Sequence, residues 1–179
     1  MQPIPVWAEA TLQGLAYWDG YKTELFPHYH LSEGAVAAEL HALIYAHTDR
    51  ATRVECESHC YKDHNHRADI TIVNQDYIDE VIEVKIGGYR GNASRGLLLS
   101  DLRRLSAFKK RYSDTRCFLL YVSQSKHPNY FVDKNGNASR KPDFKLGQEI
   151  AFSVRRVCKA YESKRQGSGA HFVCLIEVF

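Results

Sequence analysis

Three short strand-like stretches between positions 53 and 86 constrain the fold more than any other feature of this sequence. They run from Arg53 to Cys60, from Ala68 to Val73 and from Asp79 to Ile86, and polar loops separate them. Short connections join antiparallel neighbours, whereas parallel strands need a long crossover. The spacing therefore predicts a three-stranded antiparallel meander.

Segments with helical spacing lie on both sides of this meander. Ser32 and Glu33 are the residue types of an N-cap and an acidic first turn, and the apolar spacing that follows predicts a helix over about 33–48. A second helix is predicted by the spacing of Leu98, Leu102, Leu105, Phe108 and Tyr112. The continuous apolar run over 117–123 is typical of a buried strand.

Toward the C-terminus we predict a third helix within 145–165 and a final strand over 171–179. Residues 1–31 show no sustained period, which favours an irregular N-terminal arm that has room for one short helix. The element order is αβββαβ followed by a helix and a strand. It predicts an α/β fold over 32–179, with a central mixed sheet flanked by helices.

The size and composition fit one such domain, with 179 residues of which 44% are hydrophobic. Eighteen consecutive apolar residues do not occur, and the first residues lack the pattern of a signal peptide, so we expect a cytoplasmic protein without a membrane partner. Five cysteines, an odd number, favour reduced thiols over a disulfide framework.

The charge is distributed unevenly along the chain. The formal net charge is +3, but residues 97–179 hold sixteen basic and seven acidic groups, a net of +9. Concentrated positive charge favours phosphate backbones through counterion release, and it is equally common on solvated helix faces. The first interpretation makes four arginines candidate nucleic-acid contacts: Arg90, Arg95, Arg103 and Arg104.

Two acids and a lysine stand out in the meander. Because strand side chains alternate, Glu83 and Lys85 project to the same face, and Asp69 opens the neighbouring stretch. Antiparallel pairing through the short loop would bring the two carboxylates together. Carboxylates with water suit Mg²⁺ or Mn²⁺, and a nearby lysine can orient a water or stabilise negative charge.

With Glu39 on the first helix, Asp69 and the Glu83-Val-Lys85 stretch resemble the site of the PD-(D/E)xK nuclease superfamily, the restriction-endonuclease-like enzymes. The resemblance covers roughly residues 32–123, and Ala68 stands where the motif has proline. It implies that Asp69, Glu83 and Glu39 bind the metal and that Lys85 is the catalytic lysine. The implied function is a Mg²⁺-dependent nuclease acting on nucleic acid, with DNA the expected substrate.

Other interpretations stay open at this point. A Glu-x-Lys pair is common on a half-exposed strand, and an aspartate at a strand start is often a turn former. The same fold could serve as a catalytically inactive nucleic-acid-binding or regulatory subunit, in a homodimer or with a partner. A cluster within 56–66 has zinc-ligand residue types, but its spacing favours strand plus loop: Cys56, His59, Cys60, His64 and His66.

Overall fold

The structure, a computed structural model, describes residues 2–25, 31–61, 66–87, 94–123, 127–139, 149–161 and 170–179. The helices in these residues are α1 (Val6–Leu25), α2 (Glu33–Ala46) and α3 (Arg95–Arg111). The strands are β1 (Thr52–Ser58), β2 (Ala68–Asn74), β3 (Tyr77–Gly87), β4 (Arg116–Ser123), β5 (Phe152–Tyr161) and β6 (Ala170–Val178). One mixed sheet of order β1-β2-β3-β4-β6-β5 joins all six strands.

The predicted meander and first helix are confirmed. Strands β1, β2 and β3 pair antiparallel in sequence order, and the β2–β3 hairpin closes at the Asn74–Tyr77 pair. Gln75 in this turn has a φ of 54°, the left-handed conformation that a two-residue hairpin requires. At the start of α2 the Ser32 Oγ accepts from the Ala35 N–H at 3.1 Å, as an N-cap does.

Helices cover both faces of the sheet, so the central strands are buried on both sides. Helix α3 provides the long crossover between the parallel strands β3 and β4. It packs on one face, against Val81, Leu119 and Ile176, whereas α1 and α2 pack on the other face, against Ile82 and Leu120. The α/β architecture with flanking helices is therefore as predicted.

The N-terminal arm, predicted to be irregular with at most one short helix, instead consists mostly of the 20-residue helix α1 over residues 6–25. Leu12, Leu15 and Ala16 are fully buried in the core that α1 shares with α2. The helical period is obscured in the sequence because the exposed side of α1 also carries large apolar groups, with Tyr17 64% and Tyr21 61% exposed.

The predicted third helix within 145–165 was also wrong, because residues 152–161 form the edge strand β5. Arg155, Arg156 and Lys159, which fall within the predicted third helix, lie on this strand. Charged residues on an edge strand hinder pairing with other chains. A basic edge strand therefore has the same polar composition as a solvated helix, and composition does not distinguish the two. Lys164 and Arg165 lie outside the described residues.

Polar contacts join α1 to the sheet. The His171 Nδ1 and Asp19 Oδ2 atoms are 2.9 Å apart, and both side chains are fully buried. The Trp7 Nε1–H donates to Glu80 Oε2 at 2.7 Å. In the part of the chain that the structure describes, no helix combines the length and apolar character needed to span a bilayer.

We expect Asp19→Ala to lower the free energy of unfolding by roughly 1–3 kcal/mol, because buried His171 loses an acceptor that water cannot replace. Asp19→Asn keeps one acceptor oxygen and should lose less. Urea denaturation measures both effects, with Glu9→Ala, an exposed change on the same helix, as the control. Equal stability of Asp19→Ala and the wild type would show that the pair does not secure α1.

Glu80 lies in a charge cluster beneath the start of α1, where Arg116 Nε contacts Glu177 Oε1 at 2.9 Å and Arg155 also bonds Glu177. Burial raises the pKa of Glu80 to about 7, although the Trp7 hydrogen bond and Arg116 act in the opposite direction. Between pH 4.5 and 7 the folded state therefore holds a proton that the unfolded state releases. The stability that this group contributes is complete at low pH and is lost as pH rises through 7.

Glu80→Gln removes this pH dependence. We expect the difference in free energy of unfolding, variant minus wild type, to be roughly 1–3 kcal/mol larger at pH 8 than at pH 5. The variant is thus relatively more stable at the higher pH. Urea denaturation at both pH values measures the difference, and the exposed substitution Glu9→Gln should show none. A constant difference between Glu80→Gln and the wild type would mean that Glu80 titrates near its ordinary value when folded.

Candidate active site

The register of the hairpin brings the two predicted carboxylates side by side. The antiparallel register extends to the Ile70–Ile82 pair, and Asp69 and Glu83 are the next residues on the two strands. The Asp69 Oδ2 accepts from the Val84 N–H at 2.6 Å, which fixes this side chain against β3. Burial raises the pKa of Asp69, and the nearby Glu33 charge raises it further, whereas the Val84 N–H and Lys85 lower it.

Glu83 is buried, with one hydrogen-bond partner for each carboxylate oxygen. The Tyr61 hydroxyl donates to Oε1 at 2.5 Å, and Arg104 Nη2 is 3.5 Å from Oε2. Burial, with the charge of Asp69, raises the pKa of Glu83 to about 8 against the opposing effects of Tyr61 and Arg104. Ionised Glu83 is thus costly here unless further positive charge approaches it.

Lys85 lies two residues along β3 and contacts acids from two helices. Its Nζ is 3.1 Å from Oε1 of Glu33 on α2 and 3.1 Å from Oδ2 of Asp101 on α3. Although burial opposes the shift, these two carboxylates raise the pKa of Lys85. The side chain is therefore an ammonium at neutral pH.

Asp101 connects the two basic groups of the cluster. Its carboxylate is 4% exposed, and its Oδ1 accepts from Arg104, which lies one helical turn further along α3. The same carboxylate contacts Lys85 through Oδ2. A buried carboxylate with a cation on each oxygen couples the orientation of Lys85 to that of Arg104.

We use the name acidic site for six ionisable side chains on α2, β2, β3 and α3: Glu33, Asp69, Glu83, Lys85, Asp101 and Arg104. With every group ionised, four carboxylates face two cations, so the net charge is −2. Burial raises the pKa values of Asp69 and Glu83, and neighbouring carboxylates raise them further to a smaller extent, so full ionisation of the acidic site is opposed.

Three of the four predicted site residues, Asp69, Glu83 and Lys85, are in this cluster, but Glu39 is not. It is half-buried on α2 and forms no hydrogen bond or ion pair with the residues that the structure describes. Glu33 is the α2 acid that contacts Lys85. Glu33 and Glu39 are six positions apart, so they lie about 9 Å apart along the helix axis and on different faces of the helix.

The sequence contained signals for the members that were missed. Asp101 has Leu98, Leu102 and Leu105 on the same apolar stripe of α3, so a buried carboxylate was foreseeable there. Glu33 lies in the first turn of α2, where the helix dipole alone is enough to explain an acidic residue. Its contact with Lys85 therefore could not be inferred from the sequence. Tyr61 follows β1 in irregular chain, and nothing in its sequence context indicates its hydrogen bond to Glu83.

The arginines predicted as nucleic-acid contacts have different surroundings. Arg104 belongs to the acidic site, and Arg103 Nη2 is 2.9 Å from Glu149 Oε1 on the exposed side of α3. Arg95 is exposed at the first residue of α3. Arg90 lies outside the described residues.

Among the described residues, no group of three or more histidine, cysteine or acidic side chains is arranged to hold a metal ion. Cys56 is exposed on β1, and His64 lies outside the described part of the chain. Burial, with the Glu83 charge, raises the pKa of Cys60 to about 11.

Comparison of the chain with protein-family models, with curated proteins and with solved structures gave no match. The chemistry of the acidic site therefore has to be taken from its own residues.

We expect Asp101→Ala to lower the free energy of unfolding by roughly 3 kcal/mol, because Lys85 and Arg104 lose a shared buried partner. Asp101→Asn should lower it less and should also lower the pKa of Lys85, which NMR titration of the Lys85 side chain measures. Asp114→Ala, an exposed change just beyond α3, is the control. An unchanged Lys85 titration in Asp101→Asn would contradict the coupling.

Proposed function

We propose that this protein is a metal-dependent nuclease that hydrolyses phosphodiester bonds of nucleic acid, with DNA as the expected substrate. The observation that carries the proposal is the hydrogen bond of Asp69 to the Val84 N–H, which holds Asp69 against the part of β3 that carries Glu83 and Lys85. An αβββαβ core, which the resemblance to PD-(D/E)xK enzymes implies, adds support.

The donor set suits a hard divalent cation. Asp69 and Glu83 would hold it, since Mg²⁺ is usually bound by one or two carboxylates together with waters and substrate phosphates. The charge of such an ion would compensate the ionisation of Glu83, which burial opposes. When bound, the ion would neutralise phosphate charge and lower the pKa of a coordinated water.

The residues of the chain have separate roles in this proposal. Lys85, kept protonated by Asp101 and Glu33, is suited to stabilise negative charge on the phosphate oxygens and is not a base. Arg104 adds a second cation beside Glu83. Tyr61 donates to Glu83 and thereby orients its carboxylate. Glu39 remains a predicted ligand without a contact that supports it.

One observation favours the alternative, a catalytically inactive nucleic-acid-binding or regulatory subunit. Lys85 and Arg104 are already paired with acids of the cluster, so the ion-pair network is closed without a metal. An ion-pair network of this kind could instead have a purely structural role, which is to hold α3 on the sheet. Metal-dependent cleavage distinguishes the two functions, whereas nucleic-acid binding does not.

The test is incubation of the protein with supercoiled, linear and single-stranded DNA and with RNA, each with Mg²⁺, Mn²⁺ or EDTA. We expect cleavage that needs the metal and that falls by about 10²–10³-fold in Lys85→Ala, the range for loss of one charge-stabilising group. Lys110→Ala, an exposed lysine change on α3, should keep the activity.

Two results would count against the nuclease. Cleavage that persists in Lys85→Ala at the wild-type rate would remove the lysine from the chemistry. Binding of nucleic acid with no cleavage of any substrate under any metal would favour the inactive subunit. Circular dichroism of each variant ensures that a loss of activity is not a loss of fold.

A further inference from the structure

A cavity of about 300 Å³ lies directly beside the acidic site, and the proposed chemistry does not use it. One wall is a single stripe of α3 that includes Ser100, Arg104, Phe108 and Arg111, and the opposite wall is Tyr61 with His66 at its edge. Its volume is at the lower end of the range for small-molecule pockets, so it admits one small group.

The cavity and the acidic site share two walls. Tyr61 lines the cavity and donates to Oε1 of Glu83, and Arg104 lines it and lies 3.5 Å from Oε2 of the same residue. A group inside the cavity would therefore be only one side chain away from the Glu83 carboxylate. This places the cavity where a unit of a bound chain next to the scissile bond would be.

The lining combines aromatic and cationic groups. Tyr61 and Phe108 meet edge to face, with ring centroids 5.7 Å apart and planes at 89°. Arg104 and Arg111 lie on the same wall as Phe108. Aromatic surfaces beside arginines are the elements that proteins use to stack single bases and to contact the phosphates next to them.

We propose that this cavity binds one unpaired nucleotide of a single strand, with the base against Tyr61 and Phe108 and a phosphate at Arg111. This inference rests on the proposed function and deepens it, because it specifies single-stranded or frayed nucleic acid as the substrate. A paired base is already stacked and hydrogen-bonded, so it would have to leave the duplex to enter.

The experiment measures binding in EDTA, so that it does not depend on cleavage. An oligothymidylate with one 2-aminopurine reports stacking through loss of its fluorescence, and a fully paired duplex with the same label is compared. We expect the single strand to bind with quenching and the duplex to bind without it. Thymidine monophosphate and 2-aminopurine riboside, added as competitors, distinguish capture of a free nucleotide from capture within a strand.

Two variants test the cavity, each with a matched control. Ala107→Leu fills the cavity from an exposed helix position that lines it, and Ala42→Leu makes the same change at an exposed position of α2. Arg111→Ala removes the phosphate contact, and Lys110→Ala removes a neighbouring charge that does not line the cavity. Melting temperatures close to that of the wild type establish that all four are folded.

We expect Ala107→Leu to abolish the quenching and Arg111→Ala to weaken single-strand binding about three- to tenfold. The salt slope of binding in Arg111→Ala should fall by about 0.7, the value for one lost contact to a single-strand phosphate. Both controls should behave as the wild type does.

Quenching that persists in Ala107→Leu, or a duplex that is bound with equal quenching, would overturn the cavity proposal. So would the absence of single-strand binding from a protein that still cleaves duplex DNA, a result that leaves the nuclease proposal intact. Quenching that depends on the cavity in a protein without metal-dependent cleavage would support the cavity and reject the nuclease. Displacement by thymidine monophosphate at the affinity of the strand would reassign the cavity to free nucleotides.

Discussion

The arrangement of the acidic site depends on one buried carboxylate. Asp101 lies on α3, the helix that must cross the sheet because β3 and β4 are parallel, and it bonds Lys85 on β3 and Arg104 on its own helix. Lys85 in turn contacts α2 through Glu33. An unpaired charge at this depth would be expensive, so the packing of α3 and the orientation of Lys85 are coupled.

The features that were predictable from sequence are those with local causes. The β2–β3 hairpin follows from alternation and a short polar turn, and once it forms, the antiparallel register brings Asp69 and Glu83 to the same end of the hairpin without further information. The α2 acid was not predictable in the same way. A helical pattern identifies a buried stripe, but the packing of the helix on the sheet decides whether Glu33 or Glu39 reaches Lys85.

The two incorrect elements have a related physical cause, because each has a sequence pattern with two explanations. Helix α1 is apolar on its packed side and tyrosine-rich on its exposed side, so its sequence loses the contrast that defines an amphipathic helix. Strand β5 carries arginines and lysine with long apolar stems, a composition that also suits a solvated helix. Tertiary context determines both outcomes.

The protein has two buried charge clusters, and β3 contributes residues to both. Their charge balance distinguishes a functional site from a structural cluster. On the face covered by α1, Glu80 and Glu177 are matched by two arginines, Arg116 and Arg155. Such a cluster needs nothing more than its own members to be neutral.

On the face covered by α3, the acidic site holds more carboxyl groups than cations, and Asp69 and Glu83 have raised pKa values next to a cavity. A protein gains no stability from an uncompensated excess of buried carboxylates. Such an excess is reasonable where a cation and a phosphate group meet, because the ion compensates the carboxylates and the two basic groups face the phosphate. Charge balance thus supports assigning chemistry to the acidic site and a structural role to the Glu80 cluster.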